Sequence, residues 1–420
     1  MADVRPFRAV VPAPGLESRT AALPYDVYNR KTARAAVEGK PLSFLNIDRP
    51  ETGLPKDTDI YAPEVYERGA ALFAARLQNG TFVQDAAPSY YLYELTREGK
   101  VQTGIVGLSS AADYEAGVVR RHENTRAEKE EDRVRHISAL AAQTGPVFLA
   151  YRETPELAAL KAGAVTGEPV FDFTCEDGVR HRGFRIDDPE TVEVMRSALE
   201  RVPRTYIADG HHRAASAVRL AQRRRAAGEG PEAESQAFLS VLFAQEELSI
   251  LPYHRVVKGL AGMTPETFLA ALQERFQVRH ADAPVLPEEK YVFGMYLDGT
   301  WYELALKPEA AEALACAAAA DPEALVRSLD VSVLQEEVLG PLLKIDDPRT
   351  DPRIVYVGGI FGTQELERRA DRAQTGAAAF SLRPTQMEEL LAVADAGLLM
   401  PPKSTWFEPK LRSGLYIHLI

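Results

Sequence analysis

Cysteine is nearly absent: Cys175 and Cys316 are the only two in 420 residues. They stand far apart and in no spaced motif, which excludes a disulfide framework and a thiolate zinc site and fits a reducing compartment. No apolar run approaches the roughly 20 residues that a membrane helix needs. The longest small-apolar stretch, Leu314 to Ala320, lies inside a helix-like segment. The segment from Met1 to Phe7 has no apolar leader character, and Pro12 and Pro14 interrupt the residues after it. A cytoplasmic protein with no membrane partner is expected. Glycine and proline, 28 of each, are at ordinary levels, so collagen-like and disordered chains are excluded. Positive charge is in deficit: 49 Lys and Arg against 61 Asp and Glu leave a net charge of −12. Such a surface repels a phosphate backbone, so nucleic acid is not an expected partner. A local basic site for a small phosphorylated ligand is compatible with it.

The usual nucleotide and metal signatures are also missing. Neither GxxxxGK[ST] nor GxGxxG occurs, which argues against a P-loop kinase and an ordinary dinucleotide fold. His122-Glu123 lacks the second histidine of HExxH, because Arg126 stands in its place. Gly358-Gly359-Ile360-Phe361-Gly362 follows a strand-like run and precedes a helical one, the right place for a phosphate turn. Without a fingerprint it reads first as a plain strand–helix turn.

What is present builds a core. Hydrophobic residues make up 45% and charged residues 26%, and the length suits two to three domains. Helical periodicity covers Glu64 to Gln78, stopped by Asn79-Gly80, and Arg126 to Ala142, with Val134, Ile137, Leu140 and Ala141 as its apolar stripe. Strands are expected at 43–47, 89–95, 147–151, 205–208, 237–243, 250–258, 354–357 and 378–382. Strands alternating with helices, and no internal repeat, predict an α/β chain with α+β parts.

Asp209-Gly210-His211-His212-Arg213 is the most informative cluster. It lies between an apolar strand and the first turn of a helix, where free N–H groups and the positive dipole end suit an anion. Gly210 lets backbone approach a ligand, His211, His212 and Arg213 add donors and charge, and Asp209 either binds Mg²⁺ or caps the helix. The plain alternative is an aspartate cap with solvated basic neighbours. His122-Glu123-Asn124-Thr125-Arg126 also precedes a helix, with Asn124 or Thr125 as its cap and Glu123 as an acid/base or a first-turn carboxylate. Met400 to Thr405 places Lys403, Ser404 and Thr405 after two prolines, a set that suits carboxylate or phosphate or serves only as a loop. Leu251 to Arg255, with His254, is a weaker candidate.

These segments resemble those of domain-of-unknown-function family 1015. The matching phrases are Leu23-Pro24-Tyr25-Asp26-Val27, Ser43 to Ile47 with Arg49-Pro50-Glu51, His122 to His136, Ala208 to Arg213, Leu251 to Lys258 and Pro401 to Lys410. The order His-Glu, DGHHR, Pro-Lys-[Ser/Thr]-Thr is similar to that of free serine kinases with a ParB/sulfiredoxin-like nucleotide-binding fold. That resemblance implies a ParB/sulfiredoxin-like core over residues 111–260, an N-terminal α+β extension over 1–110, and a C-terminal α/β domain over 261–420 contributing the PPKST loop. It implies Glu123 as catalytic base, with Asp209 holding Mg²⁺. The DGHHR turn would hold the phosphates of ADP or ATP, and Lys403-Ser404-Thr405 the amino-acid substrate. The expected reaction is phosphoryl transfer to a free amino acid, with L-serine giving O-phosphoserine. The alternative is a non-catalytic nucleotide- or amino-acid-sensing protein.

Overall fold

Val147–Tyr151, Ala237–Ala244 and Ala377–Leu382 have no solvent-facing position, and such runs belong in the middle of a sheet. They do so here. The computed structural model describes residues 1–373 and 376–420. It divides into two compact units, Met1–Leu248 with Pro409–Ile420, and Ser249–Glu408.

The first unit is built on a nine-stranded mixed sheet. Its strands are β1 (Val4–Arg5), β2 (Tyr90–Arg97), β3 (Lys100–Ser110), β4 (Val119–Arg120), β5 (Val147–Tyr151), β6 (Phe171–Thr174), β7 (Arg180–Ile186), β8 (Thr205–Asp209) and β9 (Ala237–Ala244). The spatial order is β4-β8-β5-β9-β3-β2-β7-β6, with β1 on β3. Strand β8 runs parallel to β4 and β9 parallel to β5, whereas β8 is antiparallel to β5 and β9 to β3. Glu98 and Gly99, at φ 51° and 80°, turn β2 back into β3, the two-residue geometry that matches strand twist. Helices α1 (Pro63–Gln78), α2 (Ala127–Leu140) and α3 (His211–Ala226) accompany the sheet. Val134 and Ile137 of α2 pack on Leu220 of α3. Arg223 of α3 also pairs with Glu131 at 2.6 Å.

The α/β class stands. The expected break at residue 110 does not, because β2 and β3 are inner strands of the same sheet as β5 and β9. Phe44, Leu45, Phe73 and Phe82 share one core cluster with Leu140 and Ile417, so the first 110 residues and the chain's last segment are packed together. The expected break at 260 falls instead after Leu248, and the chain re-enters this unit at Pro409.

Three local expectations are corrected. Residues 43–47 form a turn into the short helix Leu45–Asp48 rather than a strand. Phe44, Leu45 and Ile47 are all buried, and a short apolar run has no period that separates strand from helix. Asn46 Nδ2 donates to the carbonyls of Lys40 (3.0 Å) and Ser43 (3.1 Å), which favours the turn. Neither Asn124 nor Thr125 caps α2; the N-cap is Arg126 with no side-chain bond, and Thr125 donates to Glu130 instead. The extended run from Ile250 to Lys258 is interrupted at Pro252, which separates Ser249–Leu251 from the next strand.

The second unit carries a six-stranded sheet of β10 (Tyr253–Lys258), β11 (Phe276–Ala281), β12 (Val292–Leu297), β13 (Thr300–Leu306), β14 (Ile354–Gly358) and β15 (Ala377–Leu382), in the order β11-β13-β12-β15-β10-β14. Every pairing among these strands is antiparallel. Its core holds Val257, Phe268, Phe293, Leu304, Leu334 and Phe380. Helices α4 (Gly362–Asp371) and α5 (Met387–Asp395) follow β14 and β15.

Candidate functional site

Strand β8 pairs regularly with β5 up to Ile207 opposite Leu149, then slips so that Asp209 faces Phe148. A bulge of this kind re-aims a strand-end side chain. Gly210 then takes φ 93°, a left-handed conformation that a residue with a side chain rarely adopts, and becomes the N-cap of α3. No side chain caps the helix, so Asp209 is not the expected cap. Its carboxylate is instead held between two cations. Arg213 Nη2 donates to Oδ2 at 2.9 Å, and Lys410 Nζ lies 3.5 Å from Oδ1. Burial opposes ionisation of Asp209, but Lys410 and Arg213 outweigh it and hold the carboxyl below the ordinary carboxylate range.

Arg213 is 8% exposed and also donates to the carbonyl of Pro146. Its Nε has no hydrogen-bond partner and lies 3.1 Å from where a Cβ on Gly210 would sit. The glycine therefore lets the guanidinium lie against the backbone of the turn, with its Nε closed off from solvent.

The two histidine-bearing motifs meet at the same place. His122 and His211 pack edge to face with ring centroids 4.4 Å apart, and the His122 N–H donates to His211 Nε2 at 3.5 Å. That assigns the ring proton of His211 to Nδ1, which faces Glu123 Oε2 at 3.8 Å. Glu123 has a side chain 51% exposed, so it is a rim carboxylate and not a buried one. Burial pushes His122 down to about 4 and His211 well below its ordinary value. His212, half-buried, is also lowered by burial. The histidines thus bring donors and acceptors at neutral pH but not the charge expected of them; the positive charge comes from Arg213 and Lys410.

The N-terminal phrases pack against this turn. Glu51, buried, accepts from Arg49 Nε at 2.6 Å, and Arg49 Nη1 donates to the carbonyls of Tyr25 (3.1 Å) and Tyr28 (2.7 Å). Arg133 lies 4.1 Å over the Tyr25 ring and pairs with Asp132 at 2.9 Å. This clasp fixes Asp26, whose Oδ2 is 3.9 Å from Arg213 Nη2. Behind it, His136 Nε2 bonds the Ile47 carbonyl at 2.9 Å, and Thr144 donates to Asp48 at 2.8 Å. A cavity of about 30 Å³ lies among Tyr25, Asp48, Arg133, His136, Thr144 and Arg213, room for a water or two but not for an amino acid.

Asn124 and Arg126 are exposed at the start of α2, and Thr125 is half-buried there. His254, Lys403, Ser404 and Thr405 belong to the second unit. His254 is 1% exposed and its Nδ1 accepts from the Leu382 N–H at 3.2 Å, joining β10 to β15. Burial and Arg255 push it down to about 4, so it is a neutral sheet residue. Lys403 adopts φ 56°, its Nζ lies 5.5 Å over the Tyr253 ring, and its carbonyl accepts from Arg255 at 3.2 Å. Ser404 is buried and its hydroxyl donates to the Pro401 carbonyl at 2.6 Å, which commits it to the loop. Thr405 is half-buried.

Sequence reasoning gave no site role to Lys410, Asp26, Arg133 or Asp48. The only signal is that Lys410, Asp26 and Arg133 stand inside phrases that resemble those of the family.

Magnesium does not fit the arrangement at Asp209. Mg²⁺ needs free carboxylate oxygens alongside phosphates and water, and both oxygens here face a cation. Among the described residues no group of three or more His, Cys, Asp or Glu is placed to hold a metal. No helix among them is long and apolar enough to cross a membrane.

The molecule is thus an α/β protein whose buried charges converge on one strand–glycine–helix turn. The chain belongs to the family described as protein of unknown function (DUF1015), whose model matches residues 4–332. It matches no curated protein. Among solved structures it is similar to SbnI with a C-terminal truncation from Staphylococcus aureus, at 13% identity over 75% of this chain and 87% of that one, with a TM-score of 0.37. It is also similar to a mutant of a free serine kinase in complex with ADP, at 15% identity, 69% and 83% coverage and a TM-score of 0.32. A conserved hypothetical protein from Pyrococcus furiosus matches at 14% identity, 69% and 86% coverage and a TM-score of 0.29.

Proposed function

We propose that this protein is a kinase on a ParB/sulfiredoxin-like core, transferring a phosphoryl group from ADP or ATP to the hydroxyl of a free amino acid, with L-serine giving O-phosphoserine. The observation that carries the reading is the start of α3. An uncapped helix N-terminus there has a buried arginine and a lysine from the far end of the chain beside it, and a rim carboxylate stands next to a neutral imidazole. Phosphoryl transfer asks for little else from a protein: phosphates held in place, their charge met by fixed donors, and a base near the acceptor hydroxyl.

In this reading the first-turn N–H groups of α3, Gly210, His212 and Arg213 receive the phosphates, and Lys410 meets their charge. Glu123 accepts the serine hydroxyl proton as the oxygen bonds to phosphorus and the P–O bond to the leaving nucleotide breaks. His211 Nδ1 stands 3.8 Å from that carboxylate.

The test is incubation with L-serine and either ADP or ATP, with and without Mg²⁺, followed by detection of O-phosphoserine. Both metal conditions are needed because two cations hold Asp209. Product formed catalytically supports the kinase. Nucleotide binding with no product contradicts it and favours the sensing protein.

A further inference from the structure

Lys410 is the cation that meets the phosphates in the kinase reading, and no regular structure holds it. Residues 410–412 lie in no helix or strand, so their place is set by individual bonds. The strongest set belongs to Arg412, two residues on and 5% exposed. Its backbone N–H donates to the Tyr93 hydroxyl on β2 at 3.4 Å, and its Nε donates to His181 Nε2 on β7 at 3.3 Å. Its Nη2 donates to Asp177 in the turn between β6 and β7. The bond at Nε2 puts the His181 ring proton on Nδ1, which donates to the Tyr93 hydroxyl at 2.8 Å. Burial and Arg412 push His181 down to about 3, so it stays a neutral acceptor. Ser413, next in the chain, exchanges backbone bonds with Ala22 at 2.8 and 3.2 Å.

The two cations of this segment reach different parts of the sheet. Lys410 Nζ lies 3.5 Å from Asp209 at the end of β8, whereas Arg412 is tied to β2 and β7, and β5, β9 and β3 stand between β8 and β2. The segment is a strap with its fixed point at Arg412 and its working end at Lys410. Attachment of the last residues does not require a buried charge, because Leu411, Leu415, Tyr416 and Ile417 are all buried. A guanidinium out of water is unfavourable unless its donors are met, and here groups from three places in the unit meet them.

We infer that Arg412 is a positioning residue that anchors the strap and so holds Lys410 at Asp209 and at the phosphates of the nucleotide. This inference rests on the kinase reading for the nucleotide, but it is read out by binding.

The test is a double-substitution cycle in which ADP is titrated into the full-length wild type, Arg412→Met, Lys410→Met and the double variant. Arg412→Met is expected to weaken ADP about three- to thirty-fold while Lys410 is present. It should cause no further loss once Lys410→Met has been made. Asp177→Asn removes only the carboxylate at the outer end of the network, 45% exposed. It should show a smaller loss with the same dependence on Lys410, and it decides the question if Arg412→Met does not fold. A merely structural Arg412 would weaken ADP equally with and without Lys410, and that result overturns the inference. Unchanged ADP affinity in both Arg412→Met and Asp177→Asn also overturns it. Coupling to Lys410 without phosphoserine formation supports the inference while sinking the kinase. A wild type that binds no ADP overturns both.

Discussion

Two strand–glycine–helix turns in this molecule look alike in sequence and differ in everything around them. At the start of α3, Asp209-Gly210 leads into a helix whose first turn is enclosed by Arg213, Lys410, His122 and His211. At the start of α4, Gly358 to Gly362 leads into a helix through a short 3-10 turn at Gly359–Phe361. The glycines there are explained by packing. A Cβ on Gly358 would lie 2.7 Å from the Trp406 ring, and one on Gly359 would lie 2.7 Å from Pro252. What that turn presents to solvent is apolar, with Ile360 and Phe361 at 40% and 57% exposure. A helix N-terminus after a glycine is thus only an opportunity. The α3 turn differs because buried charges arrive there from four separate parts of the chain.

The largest expected effect bears on that difference. Glu123→Gln keeps size and hydrogen bonding and removes the proton acceptor. It should lower phosphoserine turnover by about 10²–10⁴-fold with both ligands still binding in titrations. Turnover within a few-fold of wild type would leave the α3 turn a binding site only.

Next comes a paired substitution. Arg213→Ala should weaken ADP by about ten- to a hundred-fold, whereas Phe361→Ala, measured the same way, should leave it within about two-fold. Equal effects would erase the contrast between the two turns.

A smaller effect concerns acid. His122 and His136 near α3 take up a proton in the folded state only at about 4, because burial disfavours the charged form. Unfolded histidines do so near 6.5, so between about pH 6.5 and 4 the unfolded chain binds more protons and stability falls as pH falls. His122→Phe removes one such group. It should cut the stability lost between about pH 6.5 and 5 by roughly 1–2 kcal/mol, measured by urea unfolding. An unchanged pH slope would mean that His122 is protonated in the folded protein.

Much of this was legible in the sequence where signals are local. The α3 turn was, because four polar or flexible residues between an apolar strand and a helix have few structural uses. The stop of α1 at Asn79-Gly80 was readable for the same reason. Long-range convergence was not legible. Nothing near Asp209 says that Lys410 returns to it, or that the phrase at Tyr25 is clamped by Arg49 and Arg133. Charge state was hidden as well, since His211 and His212 look cationic in a string and become neutral only through burial. The run at residues 43–47 was misread because buried apolar side chains at Phe44, Leu45 and Ile47 fit either a strand or one helical turn.

The central claim is that phosphates dock on the first turn of α3, and hydrogen exchange measured with and without ADP tests it most directly. Docking gives the amides of His211, His212 and Arg213 an acceptor, so their exchange should slow while the amides at the start of α4, from Thr363 to Glu365, stay unchanged. Slowing confined to the start of α4, or none at His211 to Arg213 at saturating ADP, would contradict the account.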